Sequence, residues 1–403
     1  MEWSDSKGLN LDESLRERAR TGLRAVADWA SRNQGRHRWP RWSADTGRFP
    51  YHVHLKTDDT FRSTSWNTAR MVQGLLSAWL VFREPEYLYA AECGLEYVKS
   101  IQFFGPEAPE TNGLFLGETP LSDHSGFRDS IECAQALMAH HLITRDPVSL
   151  IRTKAFLDVY CNKVSSAEWN KQSYNLVPRL KPMQFLQGTG PERSVISHWC
   201  EFAAPLVLLQ AAVVTNNPRY TEVSEQFGGY ILEHICHADG SLRAKNSGHH
   251  TSSLNGELDN DDGLVLALIA LWKHTQRKKY LDAAVANGEW WIKRGDKMPA
   301  NFTTRSVLVM IMADLARATG DAKYNRWLHQ HAAAFFDLQI LRDSRPLVSG
   351  AFLGEDMAEN YRKGSAPGDY ISLRSTSYGA LALGRLACGA AREWNPSYSA
   401  FGW

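Results

Sequence analysis

Apolar residues recur along this chain in runs of two kinds, and their alternation predicts its architecture. One kind is apolar nearly all round: Met71 to Val81, Phe202 to Val214, Gly263 to Trp272, Val307 to Leu315 and Tyr378 to Leu386. A helix with no polar face is buried on most sides. The other kind, such as Leu11 to Asn33 and Tyr280 to Arg294, sets a charged face against an apolar one at helical spacing. That pattern predicts an outer helix with one side in water.

The short links within each pair share a form: Arg83-Glu84-Pro85-Glu86-Tyr87, Thr144-Arg145-Asp146-Pro147, Asn216-Asn217-Pro218-Arg219-Tyr220, Thr275-Gln276-Arg277-Lys278-Lys279-Tyr280 and Thr319-Gly320-Asp321-Ala322-Lys323-Tyr324. Proline fits the first turn of the next helix, where its missing N–H would have no partner anyway. These are turns of antiparallel helix pairs, and the recurring tyrosine is expected to pack its ring between neighbouring helices.

Longer connections, roughly 34–64, 105–127, 169–194, 237–259 and 340–374, precede the apolar runs and are rich in Gly, Pro, Trp and His. A shorter one lies near 296–303. Loops longer than about 12–15 residues in a compact domain are usually functional or disordered, and aromatic content argues against disorder. Five apolar runs are preceded by an arginine with small polar or β-branched neighbours: Arg62-Ser63-Thr64-Ser65, Arg128-Asp129-Ser130, Arg193-Ser194-Val195, Arg305-Ser306-Val307 and Arg374-Ser375-Thr376-Ser377. In the widest gap Asp261-Asp262-Gly263 holds the comparable place. The loop segment Gly113-Leu114-Phe115-Leu116-Gly117-Glu118 returns as Gly350-Ala351-Phe352-Leu353-Gly354-Glu355. Internal repetition of this kind decides architecture. It predicts an all-α fold, an (α/α)6 toroid of six helical hairpins and twelve helices, as a single domain over residues 1–403. Inner-helix N-termini and long loops would form one mouth.

Composition narrows the function. A formal net charge of +1 leaves no electrostatic footprint for nucleic acid or an anionic membrane. The start, Met1-Glu2-Trp3-Ser4-Asp5, has neither the basic nor the apolar region of a signal peptide, and no apolar run reaches the roughly 18 residues of a membrane span. A soluble, cytoplasmic protein is expected, with homo-oligomerisation open. The six cysteines, Cys93, Cys133, Cys161, Cys200, Cys236 and Cys388, form no C-x-x-C pair and mostly fall in helical runs, as small buried hydrophobes do. His249-His250 and Cys236-His237 lack zinc-site spacing. No Walker, Rossmann or G-x-S-x-G motif is present, so neither a metal nor a cofactor is expected.

The candidate chemistry sits at the helix starts. Free N–H groups there favour anions, and arginines grip a carboxylate bidentately. Each of Arg62, Arg128, Arg193, Arg305 and Arg374 has two readings, brace of a hairpin or holder of an anionic substrate. Asp129 follows Arg128 directly. One aspartate in Asp259-Asn260-Asp261-Asp262 is ordinary as a helix cap. Three in four residues repel unless they share a proton, bind a cation or face donors, and a member with a raised pKa is a general acid. Asp129, Asp261 and Asp262 are therefore the catalytic candidates. Trp42, His52, Trp66, His124, His198, Glu201 and Tyr378 lie on the same loops and helix starts as substrate-binding candidates, the tryptophans as stacking platforms.

In helix-start aspartates, tyrosine-bearing hairpin turns and Trp- and His-rich loops, nearly the whole chain resembles the six-hairpin glycosidases, particularly the unsaturated glucuronyl and rhamnogalacturonyl hydrolases. The resemblance implies a carbohydrate-active enzyme, a glycoside hydrolase or lyase, in which an aspartate at the mouth hydrates the substrate's double bond. Asp129 is the positional match. A uronic-acid-containing oligosaccharide is the substrate it implies, and a sugar epimerase or isomerase is a further activity on the same barrel. A local resemblance links Asp259-Asn260-Asp261-Asp262 to the D-x-D-D general acid of class II terpene cyclases, where Asp261 takes the middle place. Gly263 departs from the threonine usual after that motif. The chain is also too short for those enzymes' second helical domain, and arginines and histidines suit uronates better than carbocations.

Overall fold

The computed structural model of the protein describes residues 9–35, 46–58, 60–105, 112–117, 124–164, 173–175, 203–242, 264–295, 302–354 and 368–388. Among these the chain forms twelve α-helices: α1 (Glu13–Asn33), α2 (Ser65–Phe82), α3 (Pro85–Ser100), α4 (Phe127–Thr144), α5 (Pro147–Val164), α6 (Ala203–Thr215), α7 (Pro218–Tyr230), α8 (Leu264–Thr275), α9 (Lys278–Lys293), α10 (Phe302–Thr319), α11 (Ala322–Phe336) and α12 (Leu373–Ala387). Five short strands accompany them: β1 (Pro50–His54), β2 (Thr60–Arg62), β3 (His124–Gly126), β4 (Ser173–Asn175) and β5 (Tyr370–Ser372). No helix among the described residues is long and apolar enough to cross a membrane.

Five helix pairs, from α2–α3 to α10–α11, are joined by two-residue turns of one construction. The first turn residue is left-handed: Arg83 (φ 58°), Arg145 (φ 65°), Asn216 (φ 54°), Gln276 (φ 58°) and Gly320 (φ 69°). Arg83, Arg145, Gln276 and Gly320 each donate the backbone N–H to the carbonyl four residues back, at 2.7–2.9 Å, which satisfies one orphan carbonyl of the helix end. In three of the five turns the second residue caps the next helix. Asp146 accepts from the N–H groups of Val148 (3.2 Å) and Ser149 (3.0 Å), Asn217 from Arg219 and Asp321 from Lys323. The recurring tyrosines are buried as expected, and two of them also bond. The Tyr87 hydroxyl donates to Asp28 on α1 (2.6 Å) and that of Tyr220 to Asp158 on α5 (2.5 Å).

Contacts divide the chain into two units, Met1–Tyr97 with Arg294–Pro396 and Val98–Lys293 with Ser397–Trp403. In the first, α12 packs against α1, α2 and α10, and α10 against α11. Every residue of α12 is buried, as its apolar run requires. In the second, α4 packs on α5 and α6, α6 on α7 and α8, and α8 on α9. Leu264 to Leu271 of α8 are all buried, and each large aliphatic side chain there contributes roughly 1.5–3 kcal/mol. The amphipathic α1 buries Ala19, Leu23, Val26, Ala27 and Ala30 at helical spacing.

The long connections contain strands that local periodicity did not announce. In the first unit β1 pairs antiparallel with both β2 and β5. In the second unit β3 pairs with β4. Each strand is only three to five residues long, and β5 finds its partner across most of the sequence. No local alternation marks such a segment.

The duplicated loop motif has a mechanical basis. Gly113 (φ 102°) and Gly350 (φ 107°) adopt backbone that L side chains avoid, and a methyl at either would meet the carbonyl of Ala155 on α5 or Ala25 on α1. A glutamine locks each loop. Gln102 Nε2 donates to Gly113 O (2.8 Å) and Arg152 O (2.9 Å), and Gln339 Nε2 donates to Gly350 O (3.0 Å) and Gly22 O (2.9 Å). The phenylalanine two residues on hands its N–H to a hydroxyl at the next helix start, Phe115 to Ser130 and Phe352 to Thr376. Gln34 does the same for Gly47, with Gly47 O at 3.1 Å and Ala90 O at 2.9 Å, although only Gly47 and Phe49 keep the letters there.

Candidate functional site

The arginines of the helix starts fall in different registers. Arg128 and Arg374 are each the second residue of their helices, α4 and α12. Arg305 is the fourth residue of α10. Arg62 stands apart, on β2 ahead of α2. Its Nη1 donates to Asn33 O (3.1 Å) at the end of α1, a brace between helix and strand. The capping box of α2 comes from Thr64 and Asn67 instead. His124 lies on β3.

In the first unit, α2, α12 and α10 run in the same direction. Gly74 lies against Ala380 and Gly384 against Ser77. Late on α10, Arg317 Nη2 donates to Arg385 O (2.6 Å) and Cys388 O (3.1 Å) at the end of α12. The N-terminal turns of three neighbouring helices thus share one end of this unit. They carry Trp66 and Arg70 on α2, Arg374 and Tyr378 on α12, and Arg305 on α10. The Arg70 guanidinium lies over the Tyr378 ring, 4.7 Å from its centroid, and its Nη2 donates to the phenol oxygen at 3.4 Å. Both side chains are fully buried. Arg374 is 7% exposed, and Arg305 is half-buried, with desolvation pulling its pKa below the ordinary guanidinium value. His52 on β1 is buried between rings, 4.6 Å from Tyr51 and 4.8 Å from Tyr370.

The opposite ends of α10 and α12 hold a buried ionic cluster. Asp314 Oδ1 lies 3.5 Å from Arg317 Nη1 and 3.7 Å from Arg385 Nε. Burial lowers the Arg385 pKa to about 10, Asp314 opposing the shift and Arg317 and Arg70 adding to it. This cluster ties two helix ends together, and it lies away from the N-terminal turns.

In the second unit, Asp129 occupies the first turn of α4, half-buried, and Glu132 follows one turn on, 1% exposed. Residues three apart share a helix face. Beside Glu132 the Cys133 thiol is pushed well above its ordinary pKa, by burial first and then by the charges of Asp129 and Glu132. Deeper on α4, Gln135 Nε2 donates to Gln210 Oε1 on α6 (3.2 Å).

Asp261, Asp262, Arg193, His198, Glu201 and Trp42 lie outside the described residues. The sequence reading missed Arg70, Gln73, Glu132 and Asp314. A clear signal exists for Asp314, a lone polar residue in the apolar run Val307 to Leu315, where a buried polar group is more informative than an exposed hydrophobe. Arg70, Gln73 and Glu132 lie among other polar residues and were hidden by them.

No protein-family model matches the chain, and no curated protein is similar to it in sequence. Solved structures are similar in fold. Cellobiose 2-epimerase from Bacillus thermoamylovorans matches with a TM-score of 0.66 at 12% identity, over 92% of this chain and 99% of that one. The unsaturated glucuronyl hydrolase from Bacillus sp. GL1, responsible for the degradation of glycosaminoglycan, matches with a TM-score of 0.65 at 13% identity, over 92% and 97%. An α-1,6-mannanase from a Salegentibacter species matches with a TM-score of 0.59 at 11% identity, over 93% and 98%. These proteins are (α/α)6 toroids of the six-hairpin glycosidase superfamily, and the chain has that fold.

Proposed function

We propose that this protein is a carbohydrate-active enzyme, a glycoside hydrolase or lyase acting on uronic-acid-containing oligosaccharides by carboxylate general acid/base catalysis. The observation that carries the reading is the gathering of Arg70, Arg305 and Arg374 on the N-terminal turns of three adjacent parallel helices. Guanidinium groups and helix N-termini both favour a carboxylate ligand. Asp129 is the acid/base candidate. Glu132 lies on the same helix face one turn deeper, which places a second carboxylate beside it. Asp261 and Asp262 stay as further catalytic candidates. An inactive variant of the Salegentibacter mannanase has two adjacent aspartates replaced, and Asp261-Asp262 is an adjacent pair in this chain.

The test follows unsaturated uronides as loss of their conjugated absorbance. Asp129→Asn and Asp261→Asn are each expected to lower kcat by about 100-fold or more while leaving the fold intact. Full activity in both folded variants would remove these catalytic assignments. Sugar epimerisation is the second reading, favoured by equal likeness to two epimerase structures, each with a TM-score of 0.66. A chromatogram in which a neutral disaccharide is isomerised without cleavage would select it.

A further inference from the structure

Among the described residues, the inner helices of the first unit contain a buried amide N–H that the fold leaves unused. Gln73, one turn beyond Arg70 on α2, is 1% exposed, and its Nε2 has no hydrogen-bond partner. On the neighbouring α12 the Ser375 hydroxyl is buried in the same condition. Gln135 supplies an internal comparison. It stands at the same distance from the start of α4 and donates its amide to Gln210. A buried donor without an acceptor destabilises a fold. A methionine of similar volume would fill the same space without that penalty.

We propose that Gln73 is a binding residue whose amide N–H donates to a hydroxyl or ring oxygen of a bound acidic sugar. Its neighbours fit that ligand. Arg70 lies one turn away on the same helix face, and the Arg70–Tyr378 stack supplies a cation and a phenol beside it. An amide donor next to a guanidinium suits a molecule carrying both a carboxylate and hydroxyls. The inference rests on the carbohydrate reading and adds to it a residue that distinguishes a polyol acid from a simple carboxylate.

Gln73→Met tests it, with thermal unfolding of the full chain followed alone and with D-glucuronate, D-glucose or acetate. The ligand-free variant is expected to melt about 1–2 °C above the wild type, because an unsatisfied donor is gone. Wild type is expected to be stabilised by glucuronate and not by acetate. In the variant the same stabilisation should need about tenfold more glucuronate. A variant that melts lower or fails to fold shows the amide to be satisfied within the protein, by a buried water for example, and overturns the proposal. So does a raised melting temperature with an unchanged glucuronate response. A wild type that responds to neither sugar overturns the carbohydrate reading as well, which separates the two failures.

Discussion

Replacing Gln339 by methionine isolates the clamp that joins the loop ahead of α12 to α1. The substitution keeps the side-chain volume and removes two donated hydrogen bonds, to Gly22 O at 2.9 Å and Gly350 O at 3.0 Å. Gly22 O keeps a place in the α1 ladder, whereas Gly350 O loses its partner at a position where the amide is only 8% exposed. Two lost bonds at about 1–1.5 kcal/mol each, with one carbonyl left stranded, give a loss of about 2–4 kcal/mol. An unfolding entropy of about 2.1 cal/mol/K per residue, over 403 residues, converts this to a fall in Tm of about 2–5 °C, more if the first unit melts independently. Scanning calorimetry is the assay. Gln276→Met is the control, an exposed amide whose Nε2 bonds the local helix carbonyl of Lys273 at 2.8 Å. Gln102→Met should reproduce the Gln339 effect in the second unit. A fall below about 0.5 °C in both clamp variants, or an equal fall in the control, would refute the assignment of loop stability to the paired glutamine.

Other consequences follow from the same geometry. Arg145 is exposed and left-handed at φ 65°, so Arg145→Gly should raise stability by about 0.5–1 kcal/mol in denaturant titrations. The phenols of Tyr87 and Tyr220 are pushed above the ordinary value of 10, chiefly by burial and then by their bonds to Asp28 and Asp158. Protons held more tightly in the folded state give stability that is fully present below pH 10 and lost as pH rises through the folded-state values. Unfolding midpoints should therefore fall above pH 10, and the double variant Tyr87→Phe/Tyr220→Phe should be less stable at pH 8 with a flatter alkaline limb. Arg374→Gln is expected to raise KM for an acidic sugar by about 10- to 100-fold, the scale of one lost charge-assisted bond, and to leave a neutral analogue unaffected. An equal loss on both substrates would assign Arg374 to bracing α12.

Much of the chain was legible because its signals are local. The two-residue turns, their caps and the buried tyrosines follow from Pro, Asn and Asp placed between helical periodicities, and α8 announced its burial by a nearly all-apolar run. The repeated G-x-F-L-G-E likewise marked two loops that share a glutamine clamp. Its glutamines lie eleven residues before the glycines they hold, too far for a motif reading to connect them. The arginine phasing was looser than the letters suggested. Arg128 and Arg374 share a register, Arg305 sits deeper in its helix, and Arg62 belongs to a strand.

What the sequence determined by itself is the set of helices, their inner or outer character and the residue types gathered at their starts. Each of these depends on interactions spanning a few residues, which periodicity, capping and turn chemistry record directly. Which polar groups meet was decided by tertiary structure alone. Arg70 reaches Tyr378, β1 pairs with β5, and Gln73 finds no acceptor while Gln135 finds Gln210. The two glutamines look alike in their own helices. Only the packing of a second helix, distant along the chain, decides whether a buried amide is satisfied, because hydrogen bonds depend on ångström-scale placement that local pattern does not encode.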